Sequence, residues 1–111
     1  MSSHRYAWVI TRDHLAEPGQ PEGTSINAVG VIGPRGAFLA TREDIERHPN
    51  ARAFRLKDDD GELYYTGVIA FENAADIGSE LAFAPLDDYG APNAGATSIE
   101  YRDQQSNWHA L

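Results

Sequence analysis

The chain has 111 residues, no cysteine and a net charge of −8, from 17 acidic and nine basic residues. This length predicts one domain with a hydrophobic core, here a single acidic, β-rich domain over residues 1–111. The lack of cysteine excludes a disulfide framework, thiolate metal sites and a cysteine nucleophile, and is typical of cytosolic proteins. No stretch has the roughly 18 apolar residues of a membrane span, so we expect a cytoplasmic protein without membrane contact.

The net charge differs strongly between the two parts of the chain. Residues 1–57 contain eight Arg or Lys and six Asp or Glu, a net charge of +2. Residues 58–111 contain Arg102 and eleven Asp or Glu, a net charge of −10. Because phosphate contacts need cations, direct nucleic-acid binding is disfavoured for the second part. The charge favours a basic protein partner, or is simply a solvated surface that keeps the protein soluble.

The start of the chain predicts two strands separated by a long loop. Residues 1–5 form a polar lead, and residues 6–11 (YAWVIT) predict a strand with apolar side chains on both faces, as in a central strand. Residues 12–25 predict a loop in which Asp13 could cap one helical turn. Loops of this length are usually functional or mobile. Residues 26–32 (INAVGVI) predict the second strand.

Residues 41–48 (TREDIERH) predict the one helix. Thr41 suits the N-cap, and Asp44 follows three residues later as in a capping box. Acidic side chains in the first turn and basic ones in the last turn agree with the helix dipole, and Pro49 ends the helix. Since its only apolar anchors are Ile45 and the preceding Phe38 and Leu39, we expect the helix to lie across an edge or end of a sheet and not to form a second layer.

A β-hairpin around residues 60–61 is the clearest structural signal in the chain. An Asp-Gly pair between two apolar-patterned runs is typical of a two-residue type I′ turn. The resulting register places Phe54 opposite Gly67, whose missing side chain leaves room for the Phe54 ring. The same register places Lys57 opposite Tyr64.

The predicted hairpin has one apolar face, because side chains alternate between the two faces of a strand. A shift of one residue would expose all of these apolar side chains, so we expect the register to be firm. The apolar face carries Phe54, Leu56, Leu63, Tyr65, Ile69 and Phe71.

The rest of the chain predicts short elements and a second long loop. Residues 81–84 (LAFA) predict a short strand, and residues 85–96 predict a loop rich in Gly, Pro, Asp and Asn. Residues 97–102 and 107–111 predict a closing hairpin. Together these elements predict an α+β fold, with a mainly antiparallel sheet of about six strands, open or curled toward a barrel, and one short helix near residues 41–48.

The sequence lacks the motifs that would identify an enzyme or a metal protein. The acidic turn at residues 58–62 does not match an EF-hand loop, because Leu56 and Gly67 would occupy positions that require carboxylates. His14 and Glu17 have a spacing that suits a metal, but no third ligand follows. There is no HExxH, Gly-x-Ser-x-Gly or P-loop pattern. We therefore predict no cofactor, no metal and no catalytic residue.

One local feature favours nucleic acid instead. Arg55 and Lys57 share the outward face of the hairpin with Tyr64, and a basic strand with an aromatic side chain can stack single-stranded nucleic acid. Asp59 and Glu62 lie beside them in the predicted register. Cross-strand charge pairing therefore explains these residues more simply.

The first functional hypothesis is a small non-enzymatic binding protein that docks on a basic protein surface. Its contact elements are the turn at residues 58–62 and the loop at residues 85–96. In size and charge alone, the chain resembles the small acidic inhibitors that phages and plasmids use against nucleic-acid-handling defence complexes, which implies an inhibitor of such a complex. The predicted partner-binding residues are Asp58, Asp59, Asp60, Glu62, Asp87, Asp88 and Tyr89.

Two alternatives stay open. A small enzyme or ligand-binding domain would have its pocket between the loops at residues 12–25 and 85–96. A subunit of an assembly would pair an exposed sheet edge with another copy or with a partner. The candidate polar groups of the pocket are Asp13, His14, Asp87, Asp88 and Tyr89.

Overall fold

Six strands form one antiparallel sheet in the computed structural model, which describes residues 5–111; residues 1–4 of the predicted polar lead lie outside the described residues. The strands are β1 (Tyr6–Asp13), β2 (Ile32–Gly33), β3 (Ala51–Lys57), β4 (Leu63–Phe71), β5 (Ser98–Arg102) and β6 (Trp108–Ala110). In the sheet they lie in the order β2-β1-β4-β3-β5-β6, and the sheet is not closed into a barrel. The predicted α+β fold with a six-stranded antiparallel sheet is therefore confirmed.

The hairpin of β3 and β4 has the predicted register along most of its length. Phe54 lies opposite Gly67, and a side chain on Gly67 would meet the Phe54 ring and the carbonyl oxygen of Val9. The register shifts by one residue near the turn, so Lys57 lies opposite Leu63 rather than the predicted Tyr64. The prediction was therefore correct in the core of the hairpin and wrong at its end.

The turn itself has three residues instead of the predicted two. The N–H of Gly61 donates to the carbonyl of Asp58 (3.1 Å), and the N–H of Asp58 donates to the carbonyl of Glu62 (3.0 Å). A type I′ turn needs positive φ at both central residues. Only Gly61 has it (φ 80°), whereas Asp60 does not. The loop is therefore a tight turn followed by a glycine bulge, which accounts for the shifted register.

The two faces of the sheet are both covered. On one face, side chains of β1, β3, β4 and β5 pack against the segment 74–96 through Ala82, Leu86 and Ala96. On the other face, Ile45 packs against Ala7, Val9 and Ala70. Strand β1 accordingly has apolar side chains buried on both faces, as predicted for a central strand.

The predicted helix forms as α1 (Arg42–Arg47). The Thr41 hydroxyl accepts a hydrogen bond from the N–H of Asp44 (3.2 Å), as the capping pattern predicts. The helix anchor Ile45 is fully buried against Ala7, Val9 and Ala70, and Phe38 and Leu39 pack against the same cluster, as predicted. Ala7 near the start of β1 pairs with Ala70 near the end of β4, so the helix packs toward one end of these strands.

The segment 74–96 is helical, contrary to the prediction of a strand at residues 81–84 and a loop at residues 85–96. It contains two 3₁₀ turns, one π-helical turn and α2. A short apolar run does not distinguish a strand from a buried helical turn. Here the Ser79 hydroxyl caps the second 3₁₀ turn by accepting from the N–H of Leu81 (3.2 Å). The elements are Ala74–Asp76, Glu80–Phe83, Leu86–Gly90 and α2 (Ala91–Ala94).

The remaining strand predictions had mixed outcomes. The closing hairpin is confirmed, since β5 and β6 pair with Tyr101 opposite His109. The predicted strand over residues 26–32 is reduced to Ile32 and Gly33, and Gly30 has a φ of 88° that interrupts extended backbone. The loop before it is consequently longer than predicted.

Candidate functional site

The turn of the β3–β4 hairpin, residues 58–62, carries four carboxylates; we call it the acidic tip. Oδ1 of Asp58 holds the loop, because it accepts hydrogen bonds from the N–H groups of Asp60 (2.9 Å) and Glu62 (2.8 Å). The side chains of Asp59, Asp60 and Glu62 are exposed and have no hydrogen bond or ion pair within residues 5–111. The acidic tip therefore presents negative charge that no ion pair in this part of the chain neutralises.

The field of the acidic tip acts on the neighbouring Tyr64. Hydrogen bonding to Asp58 is the main cause that raises the pKa of Tyr64, and the negative charges of Glu62 and Asp60 add to it. A field that disfavours a phenolate favours a cation at the same place.

Two residues of the second predicted contact element, residues 87–89, bind other parts of the fold. Oδ2 of Asp88 accepts hydrogen bonds from the Tyr6 hydroxyl (2.9 Å) and from the indole Nε1 of Trp8 (3.0 Å). The Tyr89 ring packs on Trp8 with 5.4 Å between ring centroids. Asp88 and Tyr89 therefore fix the helical segment to the sheet. Both aspartates are exposed, but the Asp87 side chain has no hydrogen bond or ion pair among the described residues.

The two predicted contact elements lie far apart. Asp88 binds Trp8, and Trp8 pairs with Ile69, six residues along β4 from Leu63 beside the acidic tip. At about 3.3 Å per residue this corresponds to roughly 20 Å along the sheet. Residues 58–62 and 87–89 therefore do not form one continuous surface.

Another acid of the second part is paired with cations of the first part. Glu100 forms ion pairs with Arg55 (2.5 Å) and Lys57 (3.2 Å). The hydrogen bond that it accepts from Arg55 is the main cause that lowers the pKa of Glu100. The Arg55 guanidinium also lies 4.3 Å from the ring centroid of Trp108. The ion-pair partner of Lys57 is therefore Glu100 and not the predicted Glu62. Both basic side chains that favoured nucleic-acid binding, Arg55 and Lys57, are thus already paired with a carboxylate of the protein.

A cavity of about 390 Å³ lies at the same end of the sheet as the acidic tip. Its walls are the loop after β1, the start of β4 and the end of α2. The alternative hypothesis placed a pocket between these two loop regions. No Arg, Lys or His of the described residues lines this cavity. Its polar lining includes Asp13, Glu17, Gln20, Tyr64, Tyr65 and Asn93.

Asp13 orders the loop that forms one wall. Its Oδ1 accepts hydrogen bonds from the N–H groups of Leu15 (2.9 Å) and Ala16 (3.1 Å), and its Oδ2 accepts one from the N–H of Ala28 (2.8 Å). The backbone after Asp13 bends around these side-chain hydrogen bonds and does not form the predicted helical turn. The carboxylate thus has a structural role, while its negative charge stays at the cavity wall.

Tyr65 is the most deeply buried of the aromatic residues that line the cavity. Only 4% of the residue is exposed, and its hydroxyl has no hydrogen-bond partner among residues 5–111. Every fully buried polar side-chain atom among these residues has a hydrogen-bond partner. Because the Tyr65 hydroxyl has none, it is not fully buried, and we infer that it opens into the cavity that Tyr65 lines. Burial is the main cause that raises the pKa of Tyr65 to about 12, followed by Tyr89 and the Asp13 charge. The hydroxyl is therefore protonated at neutral pH.

The predicted pocket residues are only partly brought together. Asp13 lines the cavity, but Asp87, Asp88 and Tyr89 do not. Nε2 of His14 lies 3.0 Å from the Thr66 hydroxyl, outside the cavity lining, and burial lowers the pKa of His14.

Sequence reasoning missed Glu17, Tyr64 and Tyr65 as cavity residues. Tyr65 reaches the cavity because Asp13 pairs with it across β1 and β4, a contact between residues 52 positions apart. A non-local pairing of this kind leaves no local signal in the sequence.

A smaller, mostly apolar cavity of about 180 Å³ lies at the opposite end of the sheet. Phe71, Ile77 and Tyr101 contribute apolar walls, and Arg52 and Arg102 also line it. Neither arginine has an ion pair within the described residues. Asp103 and His109, which form an ion pair with each other, line the same cavity.

No family model, curated protein or solved structure matches this chain. Among residues 5–111, no three or more His, Asp or Glu side chains are grouped as metal ligands would be. None of the helices in that range has the length and apolar character needed to cross a bilayer.

Proposed function

We propose that the protein is a non-enzymatic binding protein that docks on a basic protein surface through the acidic end of its sheet. The observation that carries the proposal is the position of the acidic tip beside a cavity lined by Asp13 and Glu17 and by no cation of the described residues. Complementary charge accelerates association and selects partners. The other predicted contact residues have a smaller part in this proposal, because they lie away from the acidic tip, Asp88 is hydrogen-bonded to Tyr6 and Trp8, and the Tyr89 ring packs on Trp8.

A basic surface that binds nucleic acid is the partner that this charge suits best. Such surfaces use Lys and Arg to neutralise phosphates, and an acidic protein placed on them competes for the same cations. The protein would then act as an inhibitor of a nucleic-acid-handling complex, as its size and charge imply.

Retention on immobilised polylysine, eluted with a salt gradient, tests the proposal. The double variant Asp59→Asn/Glu62→Gln should elute at clearly lower salt than the wild type. The control Glu22→Gln/Glu80→Gln also loses two negative charges at exposed positions, and should elute close to the wild type. Equal shifts for the two double variants would show that net charge, and not the acidic tip, determines binding.

A second candidate is a small ligand-binding domain, favoured by the cavity of about 390 Å³, which lies within the size range of ligand pockets. Native mass spectrometry of the protein purified from its source would then show a retained small molecule. Under the docking proposal, the spectrum shows the protein mass alone.

A further inference from the structure

The Tyr65 hydroxyl is the feature that the fold leaves unexplained. A buried tyrosine usually gives its hydroxyl a hydrogen-bond partner. Elsewhere in the core, the Tyr101 hydroxyl donates to the carbonyl of Ala82 (2.6 Å). Tyr65 is 4% exposed, yet its hydroxyl has no partner among the described residues and opens into the cavity. This polar group is available to a ligand.

The chemistry around this hydroxyl suits a cation. Asp13 and Glu17 supply negative charge to the cavity wall, and the half-buried Tyr64 adds an aromatic ring, a group that attracts cations. Arg12 and His14 flank Asp13 in the sequence, but neither lines the cavity. The Asp13 charge that acts on Tyr65 would act on a bound cation with the opposite sign.

We propose that the cavity binds the cationic end of a lysine or arginine side chain of the basic partner, with the Tyr65 hydroxyl accepting a hydrogen bond from it and Glu17 supplying a charge partner. This inference rests on the proposed function and names what the acidic end of the sheet recognises. The protein then holds its partner in a fixed orientation, since one basic side chain enters the cavity beside the acidic tip.

The test is an NMR titration of the full chain with three capped amino acids: N-acetyl-lysine methylamide, N-acetyl-arginine methylamide and N-acetyl-norleucine methylamide. Norleucine has the lysine side chain without its ammonium group. At least one cationic compound should bind with a millimolar dissociation constant and shift the signals of Tyr64 and Tyr65. The norleucine compound should not bind. Equal binding by norleucine would overturn the proposal.

Two variants locate the binding. Tyr65→Phe removes only the unpartnered hydroxyl and should raise the dissociation constant about tenfold, as expected for a hydrogen bond to a charged group. Glu17→Gln should raise it about threefold, as for a partly exposed ion pair. Glu22→Gln makes the same charge change in the same loop outside the cavity, and should leave affinity unchanged. Wild-type affinity in both Tyr65→Phe and Glu17→Gln contradicts the proposal.

Stability controls separate binding from folding. Tyr101→Phe removes a hydroxyl that has a partner, so it should lower stability and leave the affinity for the amines unchanged. Tyr65→Phe should lower the affinity for the amines and leave stability unchanged. Glu17 is exposed and its side chain has no partner among the described residues, so Glu17→Gln should fold normally. If Tyr65→Phe does not fold, the amine affinity of Glu17→Gln alone tests the proposal.

The acidic-tip variant distinguishes a failure of this inference from a failure of the proposed function. Asp59→Asn/Glu62→Gln should weaken polylysine retention and change the amine dissociation constant by less than about twofold, because both side chains lie outside the cavity lining. Retention that depends on the acidic tip, without amine binding, would leave the function standing and remove the cavity from it. If the amines bind but polylysine retention does not depend on the acidic tip, the cavity would stand as a cation site and docking through the acidic tip would be contradicted.

Discussion

The Asp88 carboxylate accepts a hydrogen bond of 3.0 Å from the indole nitrogen of Trp8. The same oxygen accepts one from the Tyr6 hydroxyl, so a single acidic side chain joins the helical segment to β1. Asp87, its neighbour in sequence, is exposed like Asp88 but has no hydrogen bond or ion pair among the described residues. Two adjacent aspartates that look equivalent in the sequence therefore have different roles.

Replacing Asp88 should cost stability and not partner binding. Asp88→Ala leaves the partly buried Trp8 N–H without its acceptor, so we expect a loss of about 1–3 kcal/mol in the free energy of unfolding. Asp87→Ala should change it by less than about 0.5 kcal/mol. Urea denaturation followed by Trp fluorescence measures both. Equal midpoints for the two variants would contradict the role assigned to Asp88.

Gly67 should not tolerate a side chain. A Cβ there would lie 2.3 Å from the Val9 carbonyl oxygen and 2.5 Å from Cζ of Phe54. We expect Gly67→Ala to lower the free energy of unfolding by about 3 kcal/mol, at the upper end of overpacking costs. Gly61→Ala, at a positive φ but in open space, should cost only about 1 kcal/mol. Thermal denaturation compares the two, and a larger loss for Gly61→Ala would be inconsistent with this packing.

Glu100 should stabilise the fold in a pH-dependent way. Its pairing with Arg55 and Lys57 lowers its pKa in the folded state below the ordinary 4.5. A depressed carboxyl pKa contributes stability above the unfolded pKa, and this contribution is lost as pH falls through the folded pKa. Glu100→Gln should therefore be less stable than the wild type by about 1 kcal/mol at pH 7.

That difference between the wild type and Glu100→Gln should narrow below about pH 4.5. Denaturant titrations at a series of pH values between 7 and 3 measure the difference directly. Glu80→Gln, at an exposed position, should show a small difference that does not change over the same range. A constant difference for Glu100→Gln would mean that its ion pairs contribute nothing to stability.

Local signals in the sequence were sufficient for most of the sheet. The alternation in β3 and β4 fixed the partners of Phe54 and Leu56, since a slip of one residue would expose the core face. The capping pattern located α1 to within one residue at each end. These features depend on neighbouring residues alone.

The errors came from contacts between distant parts of the chain. Residues 81–84 form a 3₁₀ turn and not a strand because they cover the face of the sheet, where Tyr101 binds Ala82. The π-helical turn at Leu86–Gly90 is held to β1 by the hydrogen bond that Asp88 accepts from Trp8, a residue 80 positions earlier in the chain. In both segments, contacts with the sheet determined the backbone conformation, against the local secondary-structure propensity of the residues.

The candidate site was predictable in outline only. The acidic tip and the general place of the cavity could be inferred from the charge run at residues 58–62 and from the long loops. The separation of the tip from Asp87, and the meeting of Asp13 with Tyr65, follow from strand pairing that the sequence does not encode locally.

The central claim is that the acidic end of the sheet is the surface that meets a basic partner. The most direct measurement is a map of backbone amide shifts on titration with a decalysine peptide at low salt, repeated at high salt. We predict that the largest shifts fall on residues 13–17 and 58–65 and that they vanish as salt rises. Shifts spread evenly over all acidic segments, or centred on α1 or residues 86–90, would contradict the account.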